Sequence, residues 1–363
     1  MNNIGIFLGH PAHFHLFKNV AKNLSANGKN VFFVIKQKDI LEKLLQDEGL
    51  TYTKIREGRT HSKLAMVRSV LQMEWGMVQF IRRNKIDLLI GTTLSFAARV
   101  FTKAKVIVVN EDDASVVPMF AKISYPLANE ILNPCVCNSG KWDKKAVKYN
   151  SFQKLAYLHP NYFMPDKSVV EKYFSAEKPY FLLRFAKLNA HHDGGISGID
   201  TKIAEKLIKI LEQHGNIYIT SERELEPQFE QYRLNINLLD IHHIMYFSTI
   251  YIGDSQSMAV EAAMLGVPSI RFNDFAGKIG VLEELEHTYY LTFGIKSSEP
   301  EKLYQTVENL LHKPNIKEEF QNRRKKMLSE KIDTTAFFTW FFENYPKTKQ
   351  IMQQNPDYQY NFK

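Results

Sequence analysis

Residues 249–273, TIYIGDSQSMAVEAAMLGVPSIRFN, constrain the fold more than any other stretch of the chain. Thr249, Ile250, Tyr251 and Ile252 are β-branched or aromatic, the composition of a buried strand. Gly253, Asp254, Ser255, Gln256 and Ser257 follow as a polar loop. Residues 258–265 read as an alanine-rich helix, closed by Gly266, a residue suited to the left-handed C-terminal cap. Pro268 blocks continuation, and residues 269–272 are the next strand. Such a loop feeding a helix N-terminus offers backbone N–H groups and the positive end of the dipole, which suits a phosphate. Glu261 sits one turn into the helix among apolar neighbours. It falls four residues after Ser257, whereas a capping-box partner falls at three. From spacing alone it is either a ligand-facing carboxylate or one that only complements the dipole.

The chain opens on a similar unit. Residues 3–8 (NIGIFL) are a buried strand, followed by a loop of Gly9, His10, Pro11, Ala12 and His13. Residues 14–27 place Phe14, Phe17, Val20, Ala21 and Leu24 on one helical face, and residues 30–35 are the next strand. Residues 180–185 (YFLLRF) begin the pattern again, with a histidine-rich loop and a helix over residues 200–214. These βαβ units predict parallel sheets. A chain of 363 residues exceeds one ordinary core. The expected domains are residues 1–165 and 166–332, joined by a proline- and lysine-bearing linker, with residues 333–363 as a terminal segment. The first loop lacks G-x-G-x-x-G, which argues against a dinucleotide cofactor.

Ligands of open α/β sheets bind at strand C-termini, so polar residues there are candidates. His13 is either a general base or a capping and packing residue. Asp112 and Asp113 follow the strand at residues 105–109. One of them could deprotonate a hydroxyl; the plainer reading is an acidic turn that caps the next helix. Arg184 lies inside a predicted buried strand, where a guanidinium needs an anionic partner, a diphosphate or a structural carboxylate. Ser221 ends another strand. Asn189 and His192 fall in the histidine loop and read as substrate donors or loop-structuring groups, since adjacent histidines lack helical zinc spacing. No metal is expected. The long helix over residues 62–84 carries Leu64, Val67, Leu71, Trp75, Val78 and Ile81, all read as core.

The net charge of +8 suits anionic substrates or an anionic membrane surface. Without a recognition motif or a basic–aromatic stripe it does not argue for nucleic acid. Cys135 and Cys137 are too closely spaced for a normal disulfide and lack zinc spacing, so both read as buried thiols. The disulfide-free composition, the lack of a signal-peptide pattern and the lack of a bilayer-length apolar run predict a cytoplasmic protein. Residues 333–342 (DTTAFFTWFF) are strongly aromatic, and read as a core helix or as a contact with the inner face of a membrane.

The run of Glu261, Ala262, Ala263, Leu265, Gly266 and Pro268 behind its loop resembles the nucleotide-sugar motif of GT-B-fold enzymes. UDP-N-acetylglucosamine 2-epimerases and the N-acetylglucosaminyltransferase that makes lipid II carry similar loops. Over most of its length the chain resembles more closely a family of bacterial and archaeal GT-B-like proteins with a domain of unknown function. His10-Pro11-Ala12-His13, Asp112-Asp113, Tyr125-Pro126-Leu127-Ala128, Arg184 and Asn189-Ala190-His191-His192-Asp193 carry that resemblance. It implies an α/β GT-B fold, two Rossmann-like parallel-sheet domains facing a cleft, with residues 333–363 packing back on the first. It also implies that Ser255, Gln256 and Ser257 face the diphosphate of a nucleotide sugar, foremost a UDP sugar such as UDP-N-acetylglucosamine. Glu261 then faces the ribose, and Lys278 the donor sugar or phosphate. His13 matches a place where the lipid II-forming family has a histidine.

The expected function is a metal-independent glycosyltransferase of cell-surface polysaccharide or glycolipid synthesis. It would need no cofactor besides the nucleotide-sugar substrate. His13 or Asp113 would take the acceptor's proton, and Arg184 would neutralise the leaving diphosphate. A nucleotide-sugar 2-epimerase is the first alternative, weakened by the absence of a Gly-Thr-Arg-Pro-Glu opening and a His-Arg-x-x-Asn segment. A non-catalytic nucleotide-sugar-binding protein is the second.

Overall fold

Strand and helix alternate along the chain, and the strands of each sheet pair in parallel. The computed structural model describes residues 1–36, 39–55, 63–92, 96–186 and 198–363. It divides into two units: residues 1–157 with 331–363, and residues 158–330.

The first unit contains β1 (Asn3–Leu8), α1 (Pro11–Ala26), β2 (Asn30–Lys36), α2 (Asp39–Asp47), β3 (Tyr52–Ile55), α3 (Lys63–Arg83), β4 (Leu88–Gly91), α4 (Phe96–Phe101), β5 (Lys105–Val109), α5 (Pro118–Ser124), β6 (Glu130–Pro134) and β7 (Ala146–Tyr149). The strands form one seven-stranded sheet in the order β3-β2-β1-β4-β5-β6-β7. β1, β4 and β5 are almost wholly apolar and buried, as central strands covered on both faces must be. Right-handed crossovers sort the helices. α1 and α2 step towards β3 and cover one face; α3, α4 and α5 step towards β7 and cover the other. The strand order reverses between β1 and β4, the kind of position where open parallel sheets bind ligands.

The short helix α6 (Leu155–Leu158) spans the division between the units. The second unit contains α7 (Lys167–Glu171), β8 (Tyr180–Phe185), α8 (Thr201–Leu211), β9 (Asn216–Ser221), α9 (Ile241–Phe247), β10 (Ile250–Gly253), α10 (Gln256–Met264), β11 (Ser269–Phe272), α11 (Gly280–His287), β12 (Thr292–Ile295), α12 (Pro300–Leu311) and α13 (Ile316–Glu330). Its sheet runs β12-β11-β10-β8-β9, so the order reverses between β8 and β10. β10 stands at the centre, which accounts for the unbroken apolar run that precedes Gly253.

The chain then returns to the first unit through α14 (Thr334–Glu343) and α15 (Lys347–Gln354), with α14 packed on α1. Phe337, Phe338, Phe341 and Phe342 are fully buried. Asp333 caps the helix by accepting from the Ala336 N–H at 2.9 Å, and the Thr334 hydroxyl donates to the Phe152 carbonyl at 2.9 Å. The aromatic stretch is therefore core, and its phenylalanines offer nothing to a membrane.

Several local expectations need correction. α1 begins at Pro11, ahead of the expected residue 14, because the His10 imidazole accepts from the Ala12 N–H at 3.2 Å and proline suits the first turn. α10 begins at Gln256, ahead of residue 258, because Ser255 takes the extended N-cap conformation. Leu71 and Trp75 are exposed, although Val78 and Ile81 on the same helix are core. Cys137 is buried, whereas Cys135 is exposed. Asn189 and His192 lie outside the described residues.

Candidate functional site

The reversal between β8 and β10 brings the ends of both strands to one place in the second unit. Arg184 of β8 and Gly253 of β10 are register partners, and the row continues through Arg271 of β11 to Gly294 of β12. Glycine is required at 253. A Cβ there would lie 2.6 Å from the Tyr251 hydroxyl and 2.9 Å from the Arg184 Cβ. The next residue, Asp254, is 2% exposed. Its carboxylate accepts from the Ala186 N–H at 2.6 Å and the Ile199 N–H at 3.3 Å, tying the end of β10 to the end of β8 and the approach to α8. Burial raises its pKa to about 6, against the pull of those two N–H groups and of Arg223. Asn273, also buried, donates to the Asp254 carbonyl at 2.9 Å. Asp254 and Asn273 form a rigid polar floor that spacing alone did not single out.

α10 starts directly above this floor. Ser255 is its N-cap but makes no side-chain cap bond, and Gln256 and Ser257 are its first helical residues. The first-turn N–H groups have no acceptor inside the helix, so the three residues present an anion-binding end at the switch point. Glu261 lies one turn further in. It is 7% exposed, with its Oε2 3.5 Å from Nε2 of His242 on α9. The two buried side chains thus face each other where α9 packs on α10. His242 is a residue the sequence reading did not attach to the site, because its neighbour comes from another helix.

Arg184 forms an ion pair with Glu222, just past the end of β9. Ser221 closes the turn there: its hydroxyl donates to the Arg223 carbonyl at 2.7 Å and accepts from the Arg223 N–H at 3.1 Å. Arg223 donates to the Ile199 carbonyl at 2.8 Å and lies over the Phe185 ring. Lys278 is exposed in the turn after Gly277. Arg271 is fully buried, and burial pulls its pKa down while Glu286 and Glu283 of α11 hold its charge. Those glutamates and His287 have ligand-like spacing. The Arg271 guanidinium stands 3.9 Å from Glu283 and disfavours a second cation there.

In the first unit, His13 stands at the β1–β4 reversal. Its Nδ1 accepts from the Gly9 N–H at 3.1 Å, and the Thr92 hydroxyl at the end of β4 lies 2.8 Å from Nδ1 and 2.7 Å from Nε2. Base catalysis by His13 would require Nδ1 to leave Gly9. Asp113 accepts from the Asn138 N–H at 2.7 Å and so pins the loop after β6. The Asp112 carbonyl accepts from Asn110, which also donates to the Tyr125 hydroxyl at 2.7 Å. Glu111 is turned inward onto Lys154 at 2.8 Å. The acidic turn is thus an organised corner that closes this end of the sheet.

Solved structures of similar fold cover almost the whole chain. A UDP-N-acetylglucosamine 2-epimerase from Neisseria meningitidis bound to UDP-N-acetylglucosamine has a TM-score of 0.67 at 14% identity, over 95% of this chain and 100% of that one. MnaA of S. aureus with UDP gives 0.65 at 14%, over 96% and 97%. The spinosyn rhamnosyltransferase SpnG with thymidine diphosphate gives 0.61 at 12%, over 95% and 100%. The protein has the GT-B fold, with two Rossmann-like units each built on a parallel sheet. The family described as "Protein of unknown function (DUF354)" matches residues 3–280, and the chain belongs to it. No curated protein matches the sequence.

Proposed function

We propose that this protein is a glycosyltransferase that uses a nucleotide-diphosphate sugar, foremost a UDP sugar. The observation that carries the reading is α10. Its N-terminus lies at the β8–β10 reversal on a buried polar floor, with Glu261 buried one turn inside. A diphosphate fits the N–H groups of Ser255, Gln256 and Ser257, and the ribose hydroxyls fit Glu261. Arg184, in the register row beside Gly253, would take the negative charge that develops on the leaving diphosphate, in place of a metal. For the acceptor hydroxyl the candidate bases are His13 and Asp113, which follow the C-terminal ends of β1 and β5. The acceptor class follows from cell-envelope chemistry only by resemblance.

A 2-epimerase is the second reading, favoured by the likeness to the 2-epimerase from Neisseria meningitidis, whose TM-score is 0.67. Both readings are tested by thermal shift with UDP, GDP, CDP and TDP and their sugars, on the wild type and Glu261→Gln. One nucleotide should stabilise the wild type, by about 2.7 kcal/mol at a hundred times its Kd, and lose its effect in the variant. Incubation with that donor alone then separates an epimerase, which changes the sugar, from a transferase, which needs an acceptor. No shift with any nucleotide would remove the donor site.

A further inference from the structure

One face of the first unit holds large apolar side chains in water. α3 and α4 pack together on the same side of the sheet. Two bonds join them: Glu74 accepts from the Ala97 N–H at 2.6 Å, and Arg82 donates to the Phe101 carbonyl at 3.3 Å. Leu71 and Trp75 share a helical stripe with Glu74 and Arg82, so they lie on the border of α3 that meets α4. Leu71 is 64% and Trp75 56% exposed, and Val100 and Phe101 on α4 are each about half exposed. The core below is already filled by Met77, Val78, Phe80 and Ile81. Four exposed large apolar residues on adjoining helices exceed the single scattered hydrophobics of an ordinary surface.

The charges of this stretch are mostly positive. Residues 63–105 contain eight basic and two acidic residues, an excess of six in a chain whose net charge is +8. Arg68 and Arg83 on α3, Arg99 on α4 and Lys103 just after it are exposed, whereas Glu74 is half-buried and engaged with α4. A second copy docked on the same face would bring these cations against themselves. An anionic bilayer accommodates both features: tryptophan, phenylalanine and leucine enter the headgroup boundary, and arginines meet lipid phosphates. We infer that the α3–α4 face docks on the surface of an anionic lipid bilayer. The inference stands independently of the nucleotide-sugar reading.

The test is sedimentation of the full chain with vesicles of phosphatidylcholine alone or mixed with phosphatidylglycerol. The wild type should bind the mixed vesicles and be released by salt. Arg68→Ala with Arg99→Ala should weaken binding about 25-fold, roughly fivefold per arginine. Leu71→Asp with Trp75→Asp should abolish it. Met164→Asp should leave binding unchanged, since that residue is 80% exposed but belongs to the second unit. Melting curves check that each variant is folded. The inference is overturned if the wild type ignores anionic vesicles at low salt, or if the Leu71/Trp75 variant binds as well as the wild type. It is equally overturned if light scattering finds a dimer that this variant converts to monomer.

Discussion

Arg184 carries a choice that its neighbours make measurable. Its guanidinium faces Glu222, and a diphosphate bound there would compete with that carboxylate. Glu222→Gln should therefore tighten UDP binding, on the order of tenfold, by titration calorimetry; an unchanged Kd would show that Arg184 serves only the carboxylate. Asp254 makes a prediction of the opposite kind. Its pKa is raised to about 6 from an ordinary 3.8, so the folded state holds the proton more tightly than the unfolded chain. Its stabilising contribution is complete below pH 3.8 and is lost as pH rises through about 6. Urea denaturation should show the wild type losing about 2–3 kcal/mol across this window relative to Asp254→Asn, with a flatter profile in the variant. Ser255, Gln256, Ser257 and Glu261 were legible in the sequence because one loop and one helix turn bring them together. Asp254, His242, Arg223 and Arg271 were not, because Ala186, Ile199, Glu261 and Glu283 reach them from distant parts of the chain.

At the scale of elements, α10 is defined at both ends by local chemistry. At its C-terminus the Gly266 N–H donates to the Ala263 carbonyl and the Val267 N–H to the Ala262 carbonyl, each at 3.0 Å, the pattern of a Schellman cap. Gly266 has φ +69°, and a Cβ there would lie 3.0 Å from Arg324. α13 covers this end: Gln321 donates to the Leu265 carbonyl at 2.8 Å and Arg324 to the Met264 carbonyl at 2.7 Å. Gly266→Ala should cost about 1–3 kcal/mol in urea denaturation, through the left-handed backbone and the crowding against Arg324 together. The cap was readable from Gly266 and Pro268. The two donors from α13 were not, since their arrival depends on how helices pack. α3 shows the same limit. Its periodicity gave a helix, but only packing decided that Val78 and Ile81 face the sheet while Leu71 and Trp75 face water.

At the scale of the molecule, the returning C-terminal segment completes the first unit. Besides α14 on α1, the Ser151 hydroxyl donates to the Ile332 carbonyl at 2.7 Å, and the Asp333 N–H to the Phe362 carbonyl at 2.7 Å. Phe338→Ala should destabilise the protein by about 3–5 kcal/mol, read as a lower melting temperature, because the ring is fully buried and leaves a cavity. A change below about 1 kcal/mol would mean that the segment is not part of that core. No helix among the described residues is long and apolar enough to cross a membrane.

The sequence by itself determined the alternation of strands and helices, the parallel class of both sheets and the place of the loop that feeds α10. These depend on short-range rules: side-chain period, β-branching, glycine and proline at fixed offsets. The tertiary structure alone decided which strands are neighbours, and so where the order reverses and which loops meet. It also decided which apolar residues are spent on the core and which remain exposed. Those outcomes depend on contacts between residues far apart in the chain, which no local pattern records.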